Sequence, residues 1–345
     1  MVLTLDDTKR MAIATKLADM KALQQLLIAN EEKLISAISD SEISKRLSDF
    51  LEDDRKNLGI IETTIVQYGV KAEPKETVTK MLKEVEQLMA GSELTLFEKV
   101  SQHELLKHKQ TMTGLLIHKA AQKVGADVEA AIAPLNTVNF ESRAHQEQLK
   151  GILEILGVRE LTGQEADQGL WARVQDAVAA LTGVAGSVVT QASDKSDMNL
   201  QDIIRMDHQK ANTLFMEINQ SDNPAKIQEY FGQLYKDLSV HAEAEEQVVY
   251  PAVRAFYNDT QELYDEQAEM KVLLNQIKAM SPASAEFKSK VNQLKDIVMD
   301  HVRQEESTMF TAIRNNLSSA QSEQLATQFK AAKSKLQDKM SAAMK

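Results

Sequence analysis

Residues 224–252 read PAKIQEYFGQLYKDLSVHAEAEEQVVYPA. Pro224 suits the first turn of a helix, where its missing N–H costs nothing. From there Ile227, Phe231, Leu234, Leu238, His241, Glu245, Val248 and Ala252 recur every three or four residues. That is the period of one helix face, and the face is apolar except at His241 and Glu245. Three more stretches repeat the pattern. They are Leu200, Ile204, His208, Ala211, Phe215, Ile218; then Leu263, Gln267, Met270, Leu274, Ile277; then Val291, Leu294, Val298, His301, Glu305, Thr308, Ala312. Ser221-Asp222-Asn223, Asn258-Asp259 and Ser281-Pro282 separate them. Four amphipathic helices with short breaks predict an up-down four-helix bundle over 199–317.

Composition agrees with helix throughout. The chain has 345 residues, with 12 Gly and 5 Pro, and aromatics are 5%. Gly plus Pro is about 5% against a usual ~12%, too few turn formers for a large sheet protein. The class expected is all-α. The absence of Cys excludes disulfides, thiolate zinc sites, iron–sulfur clusters and cysteine nucleophiles. The charge balance is 40 Lys+Arg against 51 Asp+Glu, or −11, which on average repels nucleic acid. The first residues carry no basic segment followed by an apolar one, and no apolar run reaches 18 residues, so a cytoplasmic protein with no membrane partner is expected.

A second set of helices is expected before the first. The breaks predict helices over 5–38, 41–67, 93–124 and 134–156, with a shorter one that has Pro74 in its first turn and ends near Gly91. Gly157 is read as the stop of the last. The expected plan is two up-down four-helix bundles in series, residues 1–157 and 199–317, joined by a helical connector and linker over 158–198. The connector is rich in small residues from Gln168 to Gln191, holds the only Trp, Trp171, and suits packing between domains or in a homodimer. The tail, 318–345, puts Leu325, Phe329, Leu336 and Met340 on one stripe of an amphipathic helix. Its Lys330, Lys333, Lys335 and Lys339 are a local patch that could touch a phosphate backbone.

The polar interruptions of the 199–317 stripes carry the chemistry. His208, His241 with Glu245, Gln267, and His301 with Glu305 would all face one core. Buried imidazoles and carboxylates must be paired or ligated. Each His and its Glu are four apart, so they share a helix face. Three imidazoles and two carboxylates suit one or two first-row metal ions, iron most naturally, though other divalent ions fit the same donors. The bland alternative is a hydrogen-bonded polar layer.

The same stretches resemble the hemerythrin-like, HHE cation-binding domain. The matching residues are Met206-Asp207-His208, then His241 to Glu246 with Val249-Tyr250-Pro251, then His301 to Glu306 with Met309-Phe310. The resemblance implies a non-haem di-iron site with His208, His241, Glu245, His301 and Glu305 as ligands. It also implies a His on the third helix, where this chain has Gln267. An amide oxygen is a weak ligand. The adjacent Glu266 and nearby Glu269 are carboxylates that could substitute for it.

Residues 1–157 resemble a ferritin-like bundle more weakly. Glu31 and Glu104 match the single glutamates of that pattern. Asp54 with Asn57, and Ser142 with His145, stand where the two Glu-x-x-His motifs belong; His108 is an additional histidine. An altered site of Glu31, Asp54, Glu104, His108 and His145 is one reading. A polar core layer without metal is preferred, because each departure lacks a strong ligand.

Three functions follow. One is a non-haem iron protein that handles or senses oxygen species, peroxide or iron, as in a stress response. Another is a metal-dependent phosphodiester hydrolase, a nuclease using an open metal position. The third is a non-enzymatic helical scaffold with buried polar layers.

Overall fold

The structure, a computed structural model, describes residues 7–166 and 199–343. Among these there are helices and no strands. The connector expected from 158 onward, with Trp171, lies outside the described residues beyond 166.

Local chemistry sets the helix ends. After α1 (Asp7–Ala37), the Asp40 carboxylate accepts from the amides of Glu42 and Ile43 and starts α2 (Ser41–Tyr68). Gly69, at φ 77°, closes α2 in the left-handed conformation. α3 (Glu76–Ala90) starts after Pro74, not around it: Lys75 is the cap residue. α4 (Leu96–Val124) opens on a capping box between Thr95 and Glu98. α5 (Ala126–Ile132) is a short helix that the periodicity did not show. α6 (Leu135–Thr162) runs through Gly157 and stops at Gly163, whose φ is 68°. Gly157 is therefore not the stop. A left-handed residue marks the end, and a glycine inside a helix does not.

In the C-terminal half, α7 (Leu200–Gln220) and α8 (Pro224–Ala244) are capped by Asn199 and Asn223. A π-helical turn, Glu245–Val249, follows α8 and leads into α9 (Tyr250–Val253). Then come α10 (Thr260–Lys278) and α11 (Ala285–Gln304). A second π turn, Glu305–Met309, leads into α12 (Phe310–Asn316). α13 (Ser319–Ala343) is the tail helix.

α1 packs along α2 and α4, and α6 packs along α4 and α2. α7 packs along α8 and α11, and α10 along α11 and α8. α5 joins the halves by packing on α2, α4 and α7. A buried, two-pronged ion pair from Arg10 to Asp127, 2.8 and 3.0 Å, fastens α5 to α1. Gly114 allows α4 to meet α6 closely: a Cβ there would lie 1.7 Å from Asn139 Oδ1.

Each half has a polar layer among apolar clusters. In the N-terminal half the clusters centre on Leu17, Ile61 and Val138, on Leu47, Phe50 and Ile152, and on Leu23, Leu27 and Leu106. In the C-terminal half they centre on Tyr250, Phe310 and Phe329, and on Phe215, Phe231 and Leu294. Leu325, Phe329 and Leu336 of α13 are buried. No described helix is long and apolar enough to cross a membrane.

Candidate metal centre

The period of α8 carries His241 inward, and the π turn then begins on Glu245. A π turn adds one residue, so the stripe slips. Val249, Tyr250 and Val253 are buried in place of Val248 and Ala252. The same slip at Glu305 buries Met309, Phe310 and Ile313 and leaves Thr308 exposed. Both helices thus change register at the glutamate. The slip swings Tyr250 into the polar layer, where the sequence pattern did not place it.

His208, His241, Glu245, Gln267, His301 and Glu305 are all buried together. One atom each from His208, His241, Glu245 and Glu305 lie within 4.8 Å of one another. His208 Nε2 is 3.2 Å from Glu305 Oε2, and His241 Nε2 is 3.1 Å from Glu245 Oε2. His301 Nε2 is 3.4 Å from Glu305 Oε1.

An outer carboxylate holds each ring from behind. His208 Nδ1 donates to Glu306 at 2.8 Å, His241 Nδ1 to Asp207 at 3.0 Å, and His301 Nδ1 to Glu266 at 2.6 Å. A carboxylate only accepts, so Nδ1 carries the hydrogen and all three Nε2 atoms face the centre. Glu266 therefore sits behind His301 and does not replace Gln267 inside. Glu269 is exposed. Gln267 Nε2 donates to Glu245 at 2.8 Å and to the Tyr250 hydroxyl at 2.6 Å. Tyr250 donates to Glu305 Oε1 at 2.8 Å, with His301 Nε2 at 3.3 Å.

The donor set fits a cation. His208 Nε2, His241 Nε2 and Glu305 Oε2 meet opposite charges at 3.1–3.2 Å without hydrogen-bond geometry, and Glu245 Oε1 and Gln267 Oε1 are buried without a partner. Such under-satisfied buried atoms are rare unless something else satisfies them. A cavity of about 30 Å³ touches His208, His241, Gln267 and His301 and is otherwise walled largely by Ala211, Leu238, Met270, Leu274 and Val298.

Residues 199–313 match the hemerythrin HHE cation binding domain. A protein of Nostoc sp. (strain PCC 7120 / SAG 25.82 / UTEX 2576) named DNA nickase is 72% identical over 342 residues, spanning 99% of this chain and 97% of that one. The chain belongs to one family with that Nostoc protein and contains a hemerythrin HHE domain at residues 199–313. No solved structure matches it. The HHE domain and the buried His/Glu cluster support a metal-binding role.

Without metal, the HHE centre is an ion-pair network. Burial pulls His241 down, but Glu245 and Asp207 outweigh it and carry its pKa up to about 10. His301 is pulled down by burial and carried up to about 10 by Glu305 and Glu266. A raised His pKa means that this contribution to the metal-free fold is full below about pH 6.5 and is lost as pH rises toward 10. A metal must displace the Nε2 protons. Metal uptake should therefore release protons, and apparent affinity should rise at least about tenfold per pH unit between neutral pH and pH 9. Titration with Mn²⁺ under a pH indicator checks this; pH-independent uptake would contradict it.

The N-terminal layer is built differently. Glu31, Asp54 and His145 come together there, but Glu104 and His108 do not. Those two lie on the partly exposed side of α4 and contact Gln146. His103 and Lys107 take the inward positions instead. Lys107 Nζ is 3.1 Å from Glu31, 2.5 Å from Asp54 and 3.0 Å from His145 Nδ1. His103 Nε2 is 3.2 Å from Glu31. An ammonium stands among the carboxylates, in the place where a metal ion would be expected in a ferritin-like site.

Proposed function

We propose that the C-terminal helices hold non-haem iron through His208, His241, Glu245, His301 and Glu305, and that the centre handles dioxygen or peroxide. The observation that carries this is that one atom each from His208, His241, Glu245 and Glu305 lie within 4.8 Å of one another, with His301 Nε2 3.4 Å from Glu305, beside a cavity of about 30 Å³ that the three histidines line. That space has room for a diatomic molecule or a peroxide. Bound iron would supply redox chemistry toward such a molecule. Glu306, Asp207 and Glu266 fix the three rings. Gln267 and Tyr250 hold the glutamates, and Ala211, Leu238, Met270, Leu274 and Val298 give the cavity beside the rings a largely apolar side. Gln267, at the position where the resemblance implies a His, leaves fewer strong ligands for a second ion. We also take the two helix sets, α1–α2–α4–α6 and α7–α8–α10–α11, as two bundles in series. Lys107 makes the first a structural one.

A second reading has its own support: the relative named DNA nickase shares 72% of its residues with this chain. In it, a bound metal would supply Lewis-acid chemistry for cleaving one DNA strand. The burial of the HHE centre weighs against that chemistry occurring there, because His208, His241, Glu245, His301 and Glu305 are all buried and a DNA strand would have to reach them between packed helices. The patch expected on the tail also shrinks, since Lys333 is buried. The discriminating experiment follows peroxide loss and supercoiled-plasmid nicking in parallel, with Fe²⁺, Mn²⁺, Mg²⁺ or chelator. The iron reading expects iron-dependent peroxide loss that Glu305→Ala abolishes. Absence of peroxide loss, with Mg²⁺-dependent nicking that Glu305→Ala also abolishes, would favour hydrolysis at this centre instead.

A further inference from the structure

α13 lies beyond the segment that matches the HHE domain, yet it walls the metal centre. Phe329 sets its ring edge-on to His241, with centroids 6.3 Å apart. One turn later Lys333 is buried, and its ammonium donates to both oxygens of Asp207 at 2.5 and 2.6 Å. Asp207 Oδ2 accepts from His241 Nδ1 at 3.0 Å. Lys333 also donates to Gln67 Oε1 at 3.2 Å, and Gln67 Nε2 donates to the Ile203 carbonyl at 3.2 Å. The contacts run without a gap from the end of α2, through α13, to an imidazole of the centre.

A carboxylate held by one partner can rotate and let the ring behind it turn. Asp207 is held at both oxygens, so it offers His241 a single acceptor position. Outer partners of this kind set the tautomer and aim of a ligating histidine.

We propose that Lys333 is a positioning residue for the metal centre: by clamping Asp207 it keeps His241 Nε2 aimed at Glu245, so that the Lys333–Asp207 ion pair and retention of metal are coupled. This rests on His241 being a metal ligand. The coupling is reciprocal, so metal should strengthen that ion pair as much as the ion pair strengthens metal binding.

The test titrates Fe²⁺ into the full chain and records the absorption spectrum after air oxidation. It compares wild type, Lys333→Met, Lys333→Arg, Asp207→Asn, the Lys333→Met/Asp207→Asn pair, and Gln337→Ala. Gln337 donates to the Val66 carbonyl at 2.8 Å, so its loss weakens docking of α13 without touching Asp207. Lys333→Met and Asp207→Asn should each weaken iron binding about 10–100-fold and shift the spectrum. The pair should bind no worse than Asp207→Asn alone. Lys333→Arg should restore most of the affinity, and Gln337→Ala should match wild type. If Lys333→Met does not fold, the contrast between Asp207→Asn and Lys333→Arg decides by the same spectrum. The relay is overturned if Lys333→Met or Asp207→Asn keeps wild-type affinity and spectrum, if their losses add in the pair, or if Gln337→Ala weakens iron as much as Lys333→Met. A wild type that binds no iron overturns the metal centre and the relay together; a loaded wild type with an indifferent Lys333→Met overturns the relay alone.

Discussion

Replacing Glu305 with Ala should empty the C-terminal centre and abolish the rise in melting temperature that metal produces. Glu305 is fully buried, with one oxygen 3.2 Å from His208 and the other 3.4 Å from His301. It is the carboxylate that faces two of the three imidazoles. Burial alone would raise its pKa, but His301 and His208 hold it well below the usual carboxylate range. Two effects follow from its removal. The metal-free fold loses the partner of two buried imidazoles, at a cost of about 3–5 kcal/mol. The loaded fold also loses its metal-linked stability, about 4 kcal/mol when free metal exceeds Kd a thousandfold. Thermal unfolding with and without Mn²⁺ checks both. Wild type should melt higher with metal, and the variant should not respond. A variant that still gains stability from metal would remove Glu305 from the ligand set.

Lys107→Met should destabilise the N-terminal half by a comparable amount, about 3–5 kcal/mol, while leaving metal content unchanged. Methionine has nearly the volume of lysine but no charge, so Glu31 and Asp54 would be left buried beside each other. Burial pushes the Asp54 carboxyl up, and Lys107 and His145 hold it far below the usual range. A depressed folded pKa stabilises the fold above the unfolded value of 3.8 and is lost as pH falls toward the folded one. In the variant this support should disappear, so its stability should fall less with acid in that window than that of wild type, the remainder coming from Asp207 and Glu305. Denaturant unfolding at pH 7 and pH 3 measures the difference. If Lys107→Met gained a bound metal ion, the ammonium would be shown to occupy a latent metal site.

The two halves differ in how openly their sequences show the core. α8 and α11 bury what is apolar, so His241, Glu245, His301 and Glu305 stand out as interruptions. What escaped was the π turn at each glutamate. A fixed period carries Val248 and Thr308 inward, and only the doubled apolar pairs Val249-Tyr250 and Met309-Phe310 hint at a slip. Tyr250 was missed for that reason. α4 inverts the usual pattern. Leu105, Met112 and Leu116 are exposed, while His103, Lys107 and Gln110 are buried. A search for an apolar stripe therefore selects Glu104 and His108, one residue off the inward face. Lys107 gave no signal, because a lone lysine on a helix usually points to water. α5 is too short to show a period, and α6 passes Gly157 because packing outweighs the roughly 1 kcal/mol that glycine costs inside a helix.

The central claim is that the convergent histidines and glutamates hold iron. Its most direct test is iron counted per chain in protein purified in air, read together with its near-ultraviolet and visible absorption. The expected result is one or two iron ions per chain with an absorption band that Glu305→Ala removes. A chain that carries no iron, takes up none when Fe²⁺ is supplied, and unfolds at the same temperature with and without it would contradict the account.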